Sequence, residues 1–353
     1  MTAADARLLA LIESACEAFA LDLTGIGVLT EAASGAFACT PLLAAAAGAE
    51  VYAAGRDSVY GSRQEVNTRI ETLAARLGVR ERIQFTGTPA LDVAAQVSLV
   101  TNLGFVRPIS RALIARLRPD AAISLMWEGW EFRAADIDLA AAADHAVPVV
   151  GTREDDARVE TMKFLGPLAC KLLFECDVEV VAARVLVVGS APFGTAIARY
   201  LEACGAAEVT LVDGWKGPER PGLTDYDAMV VAEHRSERPV IGPGGLFPEA
   251  AFSGWAGRII HISGVVDGEI LGRAGLEKWP VRAVPPRTMT VTTAYVGPRP
   301  VVNLHAAGLK VGGILVRARR SGADSAQAER AALDSGLGSA ISRSQPISAE
   351  AGA

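Results

Sequence analysis

The stretch VLVVGSAPFGTAIARYLEACGAAEVTLVD, Val185–Asp213, constrains this chain more than any other. It opens on an apolar run suited to a strand buried on both faces. A glycine turn follows, then a helical segment, then a second apolar run that ends in an acid. Two parallel strands joined by a crossover helix require that order. The turn itself reads G-S-A-P-F-G. Gly189 suits the tight turn, and Gly194 suits close packing of helix on strand. Ala191 stands where a second glycine would let a pyrophosphate approach the backbone. Ser190, Pro192 and Phe193 complete a candidate cofactor-binding set with these three. Asp213 lies 24 residues after Gly189 (213 − 189). A carboxylate there accepts hydrogen bonds from both ribose hydroxyls and repels a 2′-phosphate, so NAD is expected rather than NADP. A Rossmann-shaped domain that binds no dinucleotide is the alternative for the same pattern.

The remaining chain fits an α/β protein of two domains. With 353 residues it is long enough for two cores. Strands are expected at 25–30, 50–54, 83–85, 97–101, 121–126 and 148–150, and helices at 3–20, 35–47, 63–77 and 110–117. A connector helix is expected over 158–183. The second series of strands covers 185–188, 208–212, 228–232 and 258–262, with weaker ones near Val281 and Val291. A C-terminal helix is expected over 303–320, followed by a loose tail over 321–353. Alternation of this kind implies parallel sheets with helices on both faces. The expected layout is a flavodoxin-like domain over 1–157 and a Rossmann domain over 184–302.

Composition excludes several classes. Net charge is −6, with no long Lys/Arg cluster, so nucleic acid is not an expected partner. No apolar run of about 18 residues is free of charge, and the N-terminus lacks a basic start before an apolar core. Neither a membrane nor a secretion signal is expected. The five cysteines, Cys16, Cys39, Cys170, Cys176 and Cys204, show no C-x-x-C spacing. They fit reduced thiols of a cytoplasmic protein, and no metal site is expected from them.

Later segments resemble the formate/glycerate dehydrogenase type of the 2-hydroxyacid dehydrogenases. TDYDAMVVAEH (Thr224–His234) resembles that family's strand into the cofactor-side loop, and RIIHISGVVDGEIL (Arg258–Leu271) resembles its next strand and loop. VVNLHAAG (Val301–Gly308) resembles the segment that carries the catalytic histidine. The resemblance implies His305 as general acid/base, Ser263 beside the cofactor, and a substrate held in the cleft between the two domains. Imidazole suits that proton transfer because it titrates near neutrality. Two of the family's groups are missing. His261–Gly264 contains no arginine to clamp a substrate carboxylate, and Val281–Val302 contains no acid to orient the histidine. More distantly, the layout is similar to S-adenosylhomocysteine hydrolase, and Lys163 in VETMKF resembles the lysine that precedes that family's NAD turn.

Candidate substrate contacts fall at strand ends of the first half, where open α/β sheets bind ligands. Glu31 and Ser34 sit in T-E-A-A-S-G, and the helix start there could hold an anion or be an ordinary N-cap. Asn102 ends another strand. In M-W-E-G-W-E-F-R, Trp127 and Trp130 suit either an aromatic wall or a sealed edge, with Glu128 a candidate catalytic group. The expected function is an NAD-dependent oxidoreductase acting on a small polar metabolite, as a homodimer. The alternative is a non-redox enzyme, such as a lyase or hydrolase, with NAD tightly held or absent.

Overall fold

A computed structural model of the chain describes residues 2–213, 215 and 220–341. The chain divides into two units, Met1–Val159 with Val301–Ala353, and Glu160–Pro300.

Unit 1 begins with α1 (Ala3–Ala18), started by a capping box in which Thr2 and Asp5 satisfy each other's amides. Then come β1 (Gly27–Glu31), a 3-10 turn over Gly35–Ala38, α2 (Cys39–Ala46) and β2 (Glu50–Ala54). Next are α3 (Arg63–Arg76), capped by Ser62 and Glu65, and β3 (Ile83–Thr86). β4 (Leu99–Thr101), α4 (Arg111–Ile114), β5 (Ala122–Ser124), α5 (Leu139–Asp144) and β6 (Val149–Thr152) follow. The strands are short, apolar and buried, as parallel strands covered on both faces must be.

Unit 2 opens with a 3-10 turn over Thr161–Phe164 and α6 (Leu165–Glu175). The expected connector helix is therefore only α6, which packs into the core of unit 2 through Leu168, Leu172 and Leu173. β7 (Arg184–Val188), α7 (Phe193–Ala203), β8 (Glu208–Val212) and β9 (Ala228–Ala232) follow as expected. Then come β10 (Pro239–Ile241), β11 (Arg258–Ser263), β12 (Val265–Val266), α8 (Gly268–Arg273) and β13 (Lys278–Trp279). The weak strand expected near Val281 is β13, slightly earlier in the chain. None forms at Val291, where Met289 makes only an isolated bridge to Ser263.

The chain returns to unit 1 with α9 (Arg299–Arg320), α10 (Ser325–Asp334) and β14 (Gly338–Ser339). The expected loose tail is thus ordered structure as far as 341, and residues 342–353 lie outside the described residues. Asp324 and Gln327 form a capping box for α10, and β14 pairs antiparallel with β6. α9 is the one helix among the described residues long and apolar enough to cross a membrane by length and composition, but 67% of its apolar window is buried inside the protein. It is a core helix, tied to β5 by the Ser124 hydroxyl donating to Gly308 O at 2.7 Å.

The sheet of unit 1 runs β14-β6-β5-β4-β1-β2-β3, and the main sheet of unit 2 runs β13-β11-β9-β7-β8. Both are doubly wound and mostly parallel, so the expected two-domain α/β class holds. Unit 1 has the six-stranded 3-2-1-4-5-6 order with β14 added, and unit 2 has the five-stranded 2-1-3-4-5 order. Periodicity reports that a strand exists; its neighbour is chosen by crossovers that the local sequence does not encode.

Candidate functional site

The turn of unit 2 is built as the sequence implies, up to its ligand. β7 delivers Gly189 against β9: a Cβ on Gly189 would lie 2.5 Å from Ala232 O. A Cβ on Gly194 would collide with Gly189 O, so α7 can start this close to the turn only with glycine there. Pro192 is the N-cap of α7 and Phe193 its first residue. Both glycines are thus explained by packing alone.

Sequence reasoning missed the group that meets this turn. Glu233, the residue after β9, is fully buried. One carboxylate oxygen accepts from Ser190 N at 3.0 Å and from the Ser190 hydroxyl at 2.6 Å. The other accepts from Arg235 N at 2.8 Å and Ser236 N at 3.1 Å. Burial pushes its pKa up, but the bonds from Ser190 and from the Arg235 and Ser236 amides outweigh burial and hold it below the ordinary value. Beside it, His234 stacks on Phe193 with centroids 4.1 Å apart. Burial, then the neighbouring Arg235 charge, pushes the His234 pKa down to about 4. The missed signal was an acid ending the strand that pairs with β7.

A dinucleotide cofactor fits this turn poorly. Turn and helix-start amides are what hold a pyrophosphate. Here the Ser190 amide is taken by a carboxylate, Pro192 has no N–H, and Ala191 carries a Cβ where the phosphate would approach. The Gly194 amide donates to Ser190 O at 3.1 Å. Asp213 stands exposed just past β8. The Ser263 hydroxyl, at the end of β11, is buried with no partner. Nearby, His261 Nε2 lies 2.9 Å from Gly264 O. Burial pushes the His261 pKa down to about 4, so this neutral imidazole supplies no charge in place of the missing arginine.

In unit 1 the candidates gather at the carboxyl edge of the sheet. β1 and β4 are neighbours although β2 and β3 intervene in the chain, so their ends form the topological switch point. Val28 pairs with Leu99 and Leu29 with Val100. Continuing that register sets Glu31 beside Asn102. One step earlier, the Thr101 hydroxyl bonds to the Thr30 hydroxyl at 3.0 Å. Glu31 is 7% exposed and accepts from Phe105 N at 3.2 Å. Burial raises its pKa to about 7, against smaller opposing effects from the Phe105 amide, the Arg107 charge and the Gly104 amide. Asn102 Oδ1 accepts from Met126 N at 2.8 Å, and its Nδ2 is buried with no partner. Trp127 Nε1 is likewise buried and unpaired, and Arg107 lies over the Trp127 ring, 5.0 Å from its centroid. Arg107 also pairs with Asp136 at 3.0 Å.

The other candidates are placed elsewhere. Ser34 is the N-cap of the 3-10 turn without a side-chain bond, and that turn's Gly35 carbonyl accepts from Arg69 at 2.9 Å. Glu128 is a structural clasp: it accepts from Glu154 N at 2.8 Å and from the Ser339 hydroxyl at 2.7 Å, fastening β14. Lys163 is solvated, its side chain 71% exposed and paired with Glu160 at 2.6 Å. His305 is 3% exposed within unit 1, with Nδ1 2.6 Å from the Thr40 hydroxyl and its ring 5.9 Å from that of Phe37. Burial pushes its pKa down to about 3. His305 is thus a buried imidazole of unit 1 bonded to α2.

No protein-family model and no curated protein matches the sequence. Solved structures do. A dipicolinate synthase chain from Bacillus subtilis is similar with TM-score 0.53 and 12% identity, over 85% of this chain and 99% of that one. The dipicolinate synthase counterpart from Bacillus halodurans is similar with TM-score 0.50 and 13% identity, over 81% and 96%. A putative D-3-phosphoglycerate dehydrogenase from Ralstonia solanacearum matches at TM-score 0.47 and 14% identity, over 87% and 97%. At such identities the likeness speaks of fold alone: this is a two-unit α/β chain whose fold is similar to that of the two dipicolinate synthase chains.

Proposed function

We propose that this chain is an enzyme that moves a proton on a small polar metabolite held at the switch point of unit 1. Glu31 carries the proton, while Asn102 and Trp127 orient the ligand. One observation carries the reading: a buried carboxyl with its pKa raised to about 7 ends β1, beside an asparagine whose amide donor has no partner. A carboxyl titrating near neutrality can both give and take a proton at physiological pH. Asn102 Nδ2 and Trp127 Nε1 are donors that a ligand oxygen would satisfy, and buried donors are rarely left unmade. The chemistry that fits is non-redox, of lyase or hydrolase type.

A second reading, NAD-dependent oxidation, is favoured by Asp213 past β8 and would select NAD over NADP. Thermal-shift screening of small oxyacids and keto acids tests the first reading. Stabilisation that disappears in Asn102→Ala and changes its pH dependence in Glu31→Gln supports it. Stabilisation indifferent to both substitutions rejects it.

A further inference from the structure

The fully buried Glu233 has no place in the proton-transfer reading, and it meets the one part of unit 2 whose sequence announces a ligand. It arrives from β9, which lies next to β7 in the sheet, with Val188 paired to Val231. Its carboxylate receives the amide and hydroxyl of Ser190 and the amides of Arg235 and Ser236. Four donors satisfy a buried carboxylate, so it neither needs water nor gains by leaving. The Ser190 amide is therefore engaged by an anion that belongs to the chain itself.

An incoming pyrophosphate would have to displace that carboxylate or lie against it. Displacement strands a buried charge. Coexistence sets like charges side by side at the turn. The turn offers little in return, since Pro192 supplies no amide and the Ala191 methyl crowds the approach.

We propose that Glu233 is an internal anion that closes the glycine turn of unit 2 to dinucleotide pyrophosphate, leaving a Rossmann unit that serves as scaffold rather than cofactor holder. The proposal is independent of the unit 1 site and fails separately from it. Titration of the full chain with NADH, followed by nicotinamide fluorescence, tests it directly. No saturable binding at millimolar NADH is expected, and micromolar binding by the wild-type chain overturns the proposal. Calorimetry with inorganic pyrophosphate on Glu233→Gln and Glu233→Ala tests the cause. Both should bind pyrophosphate at least about tenfold tighter than wild type, a gain that removal of one adjacent like charge supports. Variants that bind no tighter than wild type overturn the role of Glu233. Glu233→Gln keeps the side chain's shape if Glu233→Ala does not fold, and the wild-type arm decides the exclusion without either.

Discussion

Replacing Glu31 by Gln should remove a pH-dependent penalty from unit 1. Glu31 ordinarily ionises near 4.5, and burial in the fold raises that to about 7. Between those values the folded state keeps a proton that the unfolded chain gives up. Stability contributed by the protonated carboxyl is therefore present in full below about 4.5 and lost as pH rises through about 7, then flat. The difference, 7 − 4.5, corresponds to about 3 kcal/mol at 1.36 kcal/mol per pKa unit. A glutamine in this place can keep the bond from Phe105 N and has nothing to ionise. Its added amide donor lacks an assigned acceptor, so about 3 kcal/mol is an upper value. Hydrogen exchange read by mass spectrometry on the β1 peptide, variant against wild type at matched pH, isolates unit 1 from unit 2. Glu131, whose pKa burial also raises to about 7, contributes to both proteins and cancels. The variant should gain protection relative to wild type at pH 8 and lose that advantage by pH 5. An identical difference at both pH values refutes the argument.

His305→Ala should destabilise unit 1 by about 3 kcal/mol through a cavity and the lost Thr40 bond, as urea unfolding would show. In the wild-type chain the same imidazole, lowered from 6.5 to about 3, makes stability fall as pH drops below about 6.5, because only the unfolded chain takes up the proton. That slope should shrink in the variant. Gly194→Ala should cost unit 2 about 3 kcal/mol or more, since the new methyl meets the Gly189 carbonyl; circular-dichroism melts check it. Lys163→Ala should change stability by less than about 0.5 kcal/mol, as an exposed pair contributes little; a matched urea curve decides.

What the sequence disclosed depended on the range of the interaction. β8 and β9 end where periodicity sets them, and Glu31 and Asn102 are legible because strand ends are local features. β14 is not, because two residues, Gly338 and Ser339, form a strand only against β6. The surroundings of His305 are hidden for a similar reason: its partner Thr40 lies 265 positions away. Glu233 shows the converse, because an acid beside a glycine turn is visible only once β7 and β9 are neighbours. Glu128 and Lys163 differ again. Each is a plausible reactive group by type, and only the Ser339 and Glu160 contacts show how each is occupied.

The division of the chain has a consequence for its birth on the ribosome. Unit 2 is one continuous segment, Glu160–Pro300, whereas unit 1 needs residues on both sides of it. Synthesis proceeds from the N-terminus, so every residue of unit 2 is made before α9 is complete. Until then β4 and β5 lack the helix that packs over them and β6 lacks its partner β14, leaving an open strand edge on a half-built sheet. The nascent first segment is thus the aggregation-prone species, and unit 2 is the part able to fold while it waits. Ribosome-bound chains ending at Pro300 and extended by an unstructured linker long enough to clear the exit tunnel should resist protease across unit 2 and remain cleavable in the first segment.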